Sequence, residues 1–328
     1  MRAAICTAYG PPEVLRLKEV DAPRLRKNGV CIRIFATAVT ASDCLVRGLK
    51  FRSWRRIAVR AAFGVRAPRV ILGNVASGEV ESIGRNVTAF KPGDQVFGFG
   101  GFHFGTYAEK VCWPAGAAMA MKPANLTFEE AAALPYGGLL ASHFMRRLNV
   151  REGQRVLIYG ASGAIGTSAV QLSRLRGAEV TAVCSSANLD LLRALGAASV
   201  IDYTKDDFVK AGPFDVIFDA AGKRKSAQAM AGSGAALAPN GVSMSVDDGT
   251  PRTLTADLIA LKQLAESGDF RPVIDRTYPL EEIVEAHRYV DQGHKKGNVI
   301  VTVAAPPGAP IRDPSAATAS RRPPTVGT

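Results

Sequence analysis

The chain of 328 residues is 47% hydrophobic and 21% charged, a balance that fits a globular protein with room for two cores and excludes fibrous or low-complexity chains. Its apolar runs fall well short of the roughly 20 residues needed to cross a bilayer, and residues 1–14 have neither the apolar core nor the cleavage pattern of a signal peptide, so a cytoplasmic protein is expected. The net charge of +12 is local: Arg47, Arg52, Arg55, Arg56, Arg60, Arg66, Arg69 and Lys50 lie between residues 46 and 70 with no acid among them, so a global nucleic-acid-binding surface is not expected.

Residues 1–109 read as short strands (3–7, 15–20, 30–37, 78–83 and 95–99) punctuated by turn signals such as Gly10-Pro11-Pro12, Lys27-Asn28-Gly29 and Pro92-Gly93-Asp94. Within this stretch Phe51, Trp54, Ile57, Ala58, Ala61 and Ala62 recur at helical spacing, with Arg52, Arg55, Arg56 and Arg60 largely off that stripe, predicting a basic amphipathic helix. Residues 122–125 form a junction. Thr127 followed by Glu130 has the form of a capping box opening a helix at Phe128.

Residues 155–166, RVLIYGASGAIG, predict a buried strand, a glycine-bearing turn and a helix over 167–176. A turn with Gly163 and Gly166 lets a pyrophosphate approach the backbone at the positive end of a helix, so a dinucleotide would fit against Ala161, Ser162, Gly163, Ala164, Ile165 and Gly166. The pattern is A-x-G-x-x-G, which leaves open a purely structural turn. Strands over 179–184, 199–203, 215–219 and 241–246 alternate with helices over 189–195 and 227–238. That rhythm predicts an α/β fold with a parallel, doubly wound sheet whose ligand lies beyond the carboxyl ends of the strands.

Cys6, Cys31, Cys44, Cys112 and Cys184 are odd in number and scattered, so reduced thiols are expected. His103, His143, His287 and His294 are too dispersed for a local metal site. Cys44 has no histidine near it in sequence and is read as a structural thiol; His143 is read as a satisfied helix residue.

Several stretches together, among them ATAVTASDCLVRG, VESIGRNVTAFKPGDQVFG, EEAAALPYGGLLASHF, VLIYGASGAIGTSAVQLSRLRGAEV and RPVIDRTYPLEEIVEAHRYV, resemble the medium-chain dehydrogenase/reductases, and within them the zinc-independent quinone oxidoreductases. The resemblance runs from Arg2 to Val303. It implies a GroES-like, β-rich substrate domain over 1–122, a Rossmann NADP-binding domain over 123–269, and a segment over 270–303 returning to the substrate domain. The Pro/Ala/Ser-rich residues 304–328 are expected to be disordered.

Where the zinc alcohol dehydrogenases of that family place a cysteine and a histidine ligand, this chain has Thr40 and Asn74. Neither is a good zinc ligand, so no metal is expected. The end of the second strand, Val183 to Asn188, has no carboxylate to bind ribose hydroxyls. By resemblance, Ser185, Ser186 and Tyr203 are the contacts for a 2′-phosphate and NADP(H) is the cofactor; the alternative is that the serines only cap the next helix.

The resemblance implies hydride transfer from NADPH to a quinone or α,β-unsaturated carbonyl, a small-molecule acceptor whose enolate must be stabilised and protonated. Thr40, Ser42 and Tyr136 are the candidate catalytic residues, Asp43 a structural or orienting one, and solvent an alternative proton source. A specialised acyl thioester or polyketide-type intermediate is a second acceptor class, and a nucleotide-sensing protein with little turnover is a third reading. The basic segment 47–69 is a solvated face, a lid over the acceptor site, or a membrane-surface contact. After residue 246 the chain runs almost directly into a helix over 254–267, so the usual sixth strand of the sheet is expected to be missing. A monomer or non-standard oligomer follows, because that strand is the edge through which relatives pair.

Overall fold

The computed structural model describes residues 1–51 and 53–305, without the side chains of Ser53 and Arg55. Most of the tail expected to be disordered, from residue 306 onward, lies outside the described residues, as does Arg52. In chain order the elements are β1 (Arg2–Cys6), β2 (Leu15–Glu19), β3 (Gly29–Val39), α1 (Ala41–Arg47), α2 (Ser53–Phe63), β4 (Val75–Ile83), β5 (Gln95–Phe99), β6 (Lys110–Pro114) and β7 (Ala118–Met121). Then come α3 (Phe128–Ala132), α4 (Pro135–Arg147), β8 (Arg155–Tyr159), α5 (Ala164–Leu175), β9 (Glu179–Cys184), α6 (Leu189–Ala194), β10 (Ser199–Asp202), β11 (Phe214–Asp219), α7 (Lys223–Met230) and β12 (Leu237–Ser245). The chain closes with α8 (Thr255–Glu266), β13 (Ile274–Pro279), α9 (Ile283–Gln292) and β14 (Asn298–Thr302).

The GroES-like domain is built on a seven-stranded sheet, β13-β14-β3-β4-β5-β7 with β6 also paired to β3. Its C-terminal strands come from the far end of the chain: β14 runs antiparallel to β3 in the register Val299↔Val39. The second sheet is parallel and ordered β10-β9-β8-β11-β12. The chain passes out to β10, then back across β8 to β11, so β8 and β11 flank the switch point and the ligand crevice opens above Tyr159 and Asp219. Val156, Leu157, Ile158, Val216, Ile217 and Phe218 are fully buried, as near-continuous apolar strands in a covered parallel sheet must be.

The expected shortening holds among the described residues, where the parallel sheet has five strands and β12 is its edge. That edge is irregular. Its register against β11 shifts between Phe214 and Val216, and Asn240, beside Pro239, has φ of 66°. A kinked edge with proline is a poor template for another strand. The expected helix over 227–238 is replaced by α7 beginning at Lys223 and ending at Met230, with β12 already under way at Leu237. The small-residue run between them has no apolar period to mark where helix gives way to strand.

The capping box at α3 is present: Thr127 accepts from the Glu130 N–H while Glu130 accepts from the Thr127 N–H. α4 then packs tightly on the start of α5. A Cβ on Gly137 would lie 2.2 Å from the Ala164 carbonyl oxygen, so no larger residue allows this approach. The expectation of reduced thiols is corrected at one pair. Cys31 and Cys112 oppose each other in the β3–β6 register, 4.0 Å apart at Cα, and are joined as a disulfide. Their 81-residue separation in sequence hides a pairing that only strand register creates. Cys6, Cys44 and Cys184 are free and buried. Among the described residues no helix is long and apolar enough to cross a membrane.

Candidate cofactor and acceptor site

The turn after β8 brings Ala161 to Gly166 together at the crevice. α5 starts at Ala164 with Gly163 as its N-cap, so the first N–H groups of the helix lack carbonyl partners within it and point toward the crevice. A Cβ on Gly166 would sit 2.4 Å from the Gly160 oxygen and 2.6 Å from the Ala161 Cα, whereas one on Gly163 would meet nothing nearer than Gly160 oxygen at 3.6 Å. Gly166 therefore seats the helix on the strand, while Gly163 leaves the mouth of the turn open. Such a cradle fits a dinucleotide diphosphate.

Above β9 and β10, the three residues expected at the ribose end separate into different roles. Ser186 donates its hydroxyl to Asp202. Asp202 also accepts from the Thr204 N–H at 3.0 Å and the Thr204 hydroxyl at 2.7 Å, with Lys205 Nζ at 3.7 Å. The Ser186 and Thr204 hydrogen bonds pull its pKa down to about 2. Ser185 accepts from Asn188 Nδ2 at 3.2 Å, which leaves its own proton to donate. Tyr203 is half exposed, with its ring 6.2 Å from that of Tyr159. The sequence reading missed both Asp202 and Lys205, because it looked for an acid only at the end of the second strand.

Two lysines also went unflagged. Gly297 N–H donates to the Ser162 carbonyl at 2.8 Å, pinning the loop after α9 onto the dinucleotide turn. That loop carries Lys295, whose ammonium donates to the Gly297 carbonyl. Burial, with Lys225 adding repulsion, pushes Lys295 down to about 8. Desolvation also lowers Lys225, whose Nζ lies 3.3 Å from where a Cβ on Gly293 would be. Beside the dinucleotide turn there are thus two neighbouring cations, the partly buried Lys295 and the surface-exposed Lys225, which an anionic ligand would compensate.

At the other end, β3 runs into α1 through Thr40. Thr40 caps this helix: its oxygen accepts from the Asp43 N–H at 3.3 Å, and its hydroxyl donates to Asp43 Oδ2 at 2.6 Å. Asp43 also accepts from the N–H groups of Thr40 and Gly73, each at 2.9 Å. Asp43 thus forms a buried knot tying α1 to residue 73, and desolvation raises its pKa. Ser42 and Tyr136, 94 residues apart, meet at 3.4 Å between their hydroxyl oxygens. Burial pushes Tyr136 up to about 12, so its hydroxyl stays protonated near neutrality. Thr40, Ser42 and Tyr136 thus line one corner, but the Thr40 proton is already committed. Asn74 is buried with its Oδ1 lacking a hydrogen-bond partner.

Cys44 does have a histidine neighbour, brought by α9: its Sγ lies 3.5 Å from His287 Nδ1. Burial pushes the thiol up to about 12 and the imidazole down to about 3. Both groups are neutral, so this is a packed pair and not a nucleophile with its base. His143 accepts from the Arg252 N–H at 3.3 Å. Asp219, at the end of β11, gathers the N–H groups of Ala221 and Gly222 and the hydroxyls of Ser226 and Ser245, holding the loop that leads to Lys225.

Comparison with known proteins agrees with the fold. A family model described as alcohol dehydrogenase GroES-like domain matches residues 26–123, and one described as zinc-binding dehydrogenase matches residues 195–301. The chain is similar to the mouse (Mus musculus) protein NAD(P)H oxidoreductase RTN4IP1, mitochondrial, with 32% identity over 92% of this chain and 89% of that one. It is 31% identical to a 2-methylene-furan-3-one reductase of Solanum lycopersicum, over 92% of this chain and 79% of the relative. Among solved structures it is similar to the quinone oxidoreductase from Coxiella burnetii, with a TM-score of 0.83, 28% identity, and coverage of 93% of this chain and 99% of that one.

Proposed function

Because the chain belongs to the medium-chain dehydrogenase/reductase superfamily, in its zinc-independent quinone oxidoreductase-like branch, and is an NAD(P)H-dependent oxidoreductase, we propose that it reduces a quinone or an α,β-unsaturated carbonyl with NADPH. The observation that carries this reading is the pair of neutral hydroxyls, Ser42 and Tyr136, beside a Thr40 whose proton is spent on Asp43. A conjugated acceptor needs no group to remove a proton from it; it needs hydrogen-bond donors where charge develops on its oxygen. The bound nicotinamide supplies the hydride. Tyr136 donates to the acceptor oxygen, and Ser42 holds the Tyr136 hydroxyl in line. Thr40 and Asp43 fix the start of α1 and so the position of Ser42.

The preference for NADPH is supported by the way the ribose end is wired. An acid that selects NAD must offer free lone pairs to two ribose hydroxyls. The oxygens of Asp202 are taken by Ser186 and Thr204, with Lys205 near, while Ser185, Tyr203 and Lys205 remain to meet a 2′-phosphate. The chain is further proposed to be cytoplasmic and not joined edge to edge through β12. Light scattering is expected to give the mass of a monomer or of an oligomer joined through another surface, and a dimer cross-linked through Val242 and Ser243 would refute that.

The deciding experiment follows NADPH consumption against a panel of quinones and enones, with NADH alongside. Turnover with KM for NADPH at least about tenfold below that for NADH, one decade of discrimination, is expected. Binding of NADPH without turnover on any acceptor would reject the reading.

A further inference from the structure

The apolar stripe of α2 faces away from the protein. Trp54, Ile57 and Val65 are 68%, 73% and 65% exposed, and Ala58 and Ala61 are exposed with them. At about 100° per residue Trp54, Ile57, Ala58 and Ala61 share one face of the helix, and Val65 lies in the turn beyond its last residue, Phe63. The helix is held from its opposite side. Phe63 packs edge-on against Phe104 at 5.4 Å between ring centroids, the Arg60 guanidinium lies 6.0 Å from the centre of the Tyr9 ring, and the Tyr9 hydroxyl donates to the Gly64 carbonyl at 2.7 Å.

A surface helix ordinarily buries its apolar stripe and wets its charges. In α2 both are wet. Arg56 and Arg60 are exposed off the stripe and Arg66 and Arg69 are exposed in the turn beside Val65, and no acid occurs between residues 46 and 70. Arg47 is separate from this face, being fully buried and paired with Asp291 at 2.5 Å.

These features together select the occupant. A nucleic acid would meet the arginines but leave Ile57 and Val65 in water. A second copy of the chain would bring two acid-free arginine rims together. An anionic bilayer supplies both an apolar layer and phosphate head groups within the depth of one helix, and tryptophan favours that boundary. We propose that α2 and the turn after it form a docking face for an anionic lipid surface. Trp54, Ile57 and Val65 seat at the acyl boundary, and the exposed arginines contact head groups. Only residues 48–52 separate this face from α1, the helix that Thr40 opens. Resting on the reductase reading above, the consequence is that the acceptor is a lipid-soluble quinone or enone taken from the bilayer.

The test sediments the full chain with vesicles of phosphatidylcholine alone and of phosphatidylcholine with phosphatidylglycerol. Binding to the anionic vesicles is expected, weakening about tenfold or more between about 0.05 and about 0.5 M salt. Trp54→Ser/Ile57→Ser and Arg66→Gln/Arg69→Gln are each expected to lower partitioning roughly tenfold with the melting temperature unchanged. Failure to sediment with anionic vesicles, equal binding to neutral ones, or wild-type partitioning by both double variants would overturn the proposal. So would DNA retention or self-association through this face without vesicle binding. Reduction of a short-chain, water-soluble quinone is measured in parallel. Activity without vesicle binding removes the docking face alone, and vesicle binding without activity on any acceptor removes the reductase reading alone.

Discussion

The two ends of the crevice are built by different means. At the cofactor end the decisive contacts are backbone: Gly166 against Gly160 and Ala161, Gly137 against Ala164, and Gly297 N–H on the Ser162 carbonyl. At the acceptor end they are side chains, Ser42 with Tyr136 and Thr40 with Asp43, delivered by β3, α1 and α4. A diphosphate is the same in every reaction the scaffold serves, so its site can be cast in main chain. An acceptor differs from one enzyme to the next, and replaceable side chains can follow it without disturbing the sheet.

Gly166→Val attacks the backbone end most directly. Its Cβ would overlap the Gly160 carbonyl, and a loss of at least about 3 kcal/mol in stability is expected, with cofactor binding abolished; chemical denaturation and fluorescence titration read both. Tyr136→Phe attacks the side-chain end. With the fold retained, kcat is expected to fall roughly a hundredfold and KM for NADPH to stay put. An unchanged kcat would assign protonation to solvent.

Lys295 bridges the two styles, being a side chain at the cofactor end. Its ammonium is present below pH of about 8 and lost above. Cofactor Kd is therefore expected to rise about tenfold from pH 7 to 9, and Lys295→Met should bind with the weaker constant at both pH values. For folding the sign is opposite. A lysine with a depressed folded pKa carries its charge at a cost below about pH 8, and that cost is relieved as pH rises toward the unfolded value. The smallest effect on the fold is expected from Gly163→Ala, less than about 0.5 kcal/mol, since its Cβ meets only one atom at 3.6 Å. Its cofactor Kd should nonetheless rise, which isothermal calorimetry beside a melting curve would show.

The backbone end was the more legible in sequence. A glycine is chosen where nothing larger fits, so residues 155–166 carry their geometry in their identities, and the missing sixth strand shows as a gap of fixed length before α8. The Thr127–Glu130 box was legible because its partners are three residues apart. The Thr40–Asp43 box has the same three-residue spacing, with aspartate in place of the glutamate of the usual pattern. The Cys31–Cys112 disulfide, the Ser42–Tyr136 pair, the Cys44–His287 contact and the two lysines were not legible. Each joins residues from different elements, and no local pattern encodes which elements meet. The ribose end was half legible: the absence of an acid after β9 was visible, but Asp202 reached the same place from β10.

By itself the sequence determined the strand–turn–helix of the dinucleotide cradle, the alternation that makes the sheet parallel, its early end at β12, and the apolar and basic faces of α2. These depend on covalent geometry, glycine and the period of the apolar residues, which are properties of neighbours along the chain. Tertiary structure alone decided that the Ser186 hydroxyl serves Asp202, that Tyr136 meets Ser42, that Lys225 and Lys295 lie together beside the dinucleotide turn, and that the apolar stripe of α2 faces outward. Periodicity defines a face; which way that face points depends on where Phe63, Phe104 and Tyr9 anchor the helix, and those contacts exist only once the chain has folded.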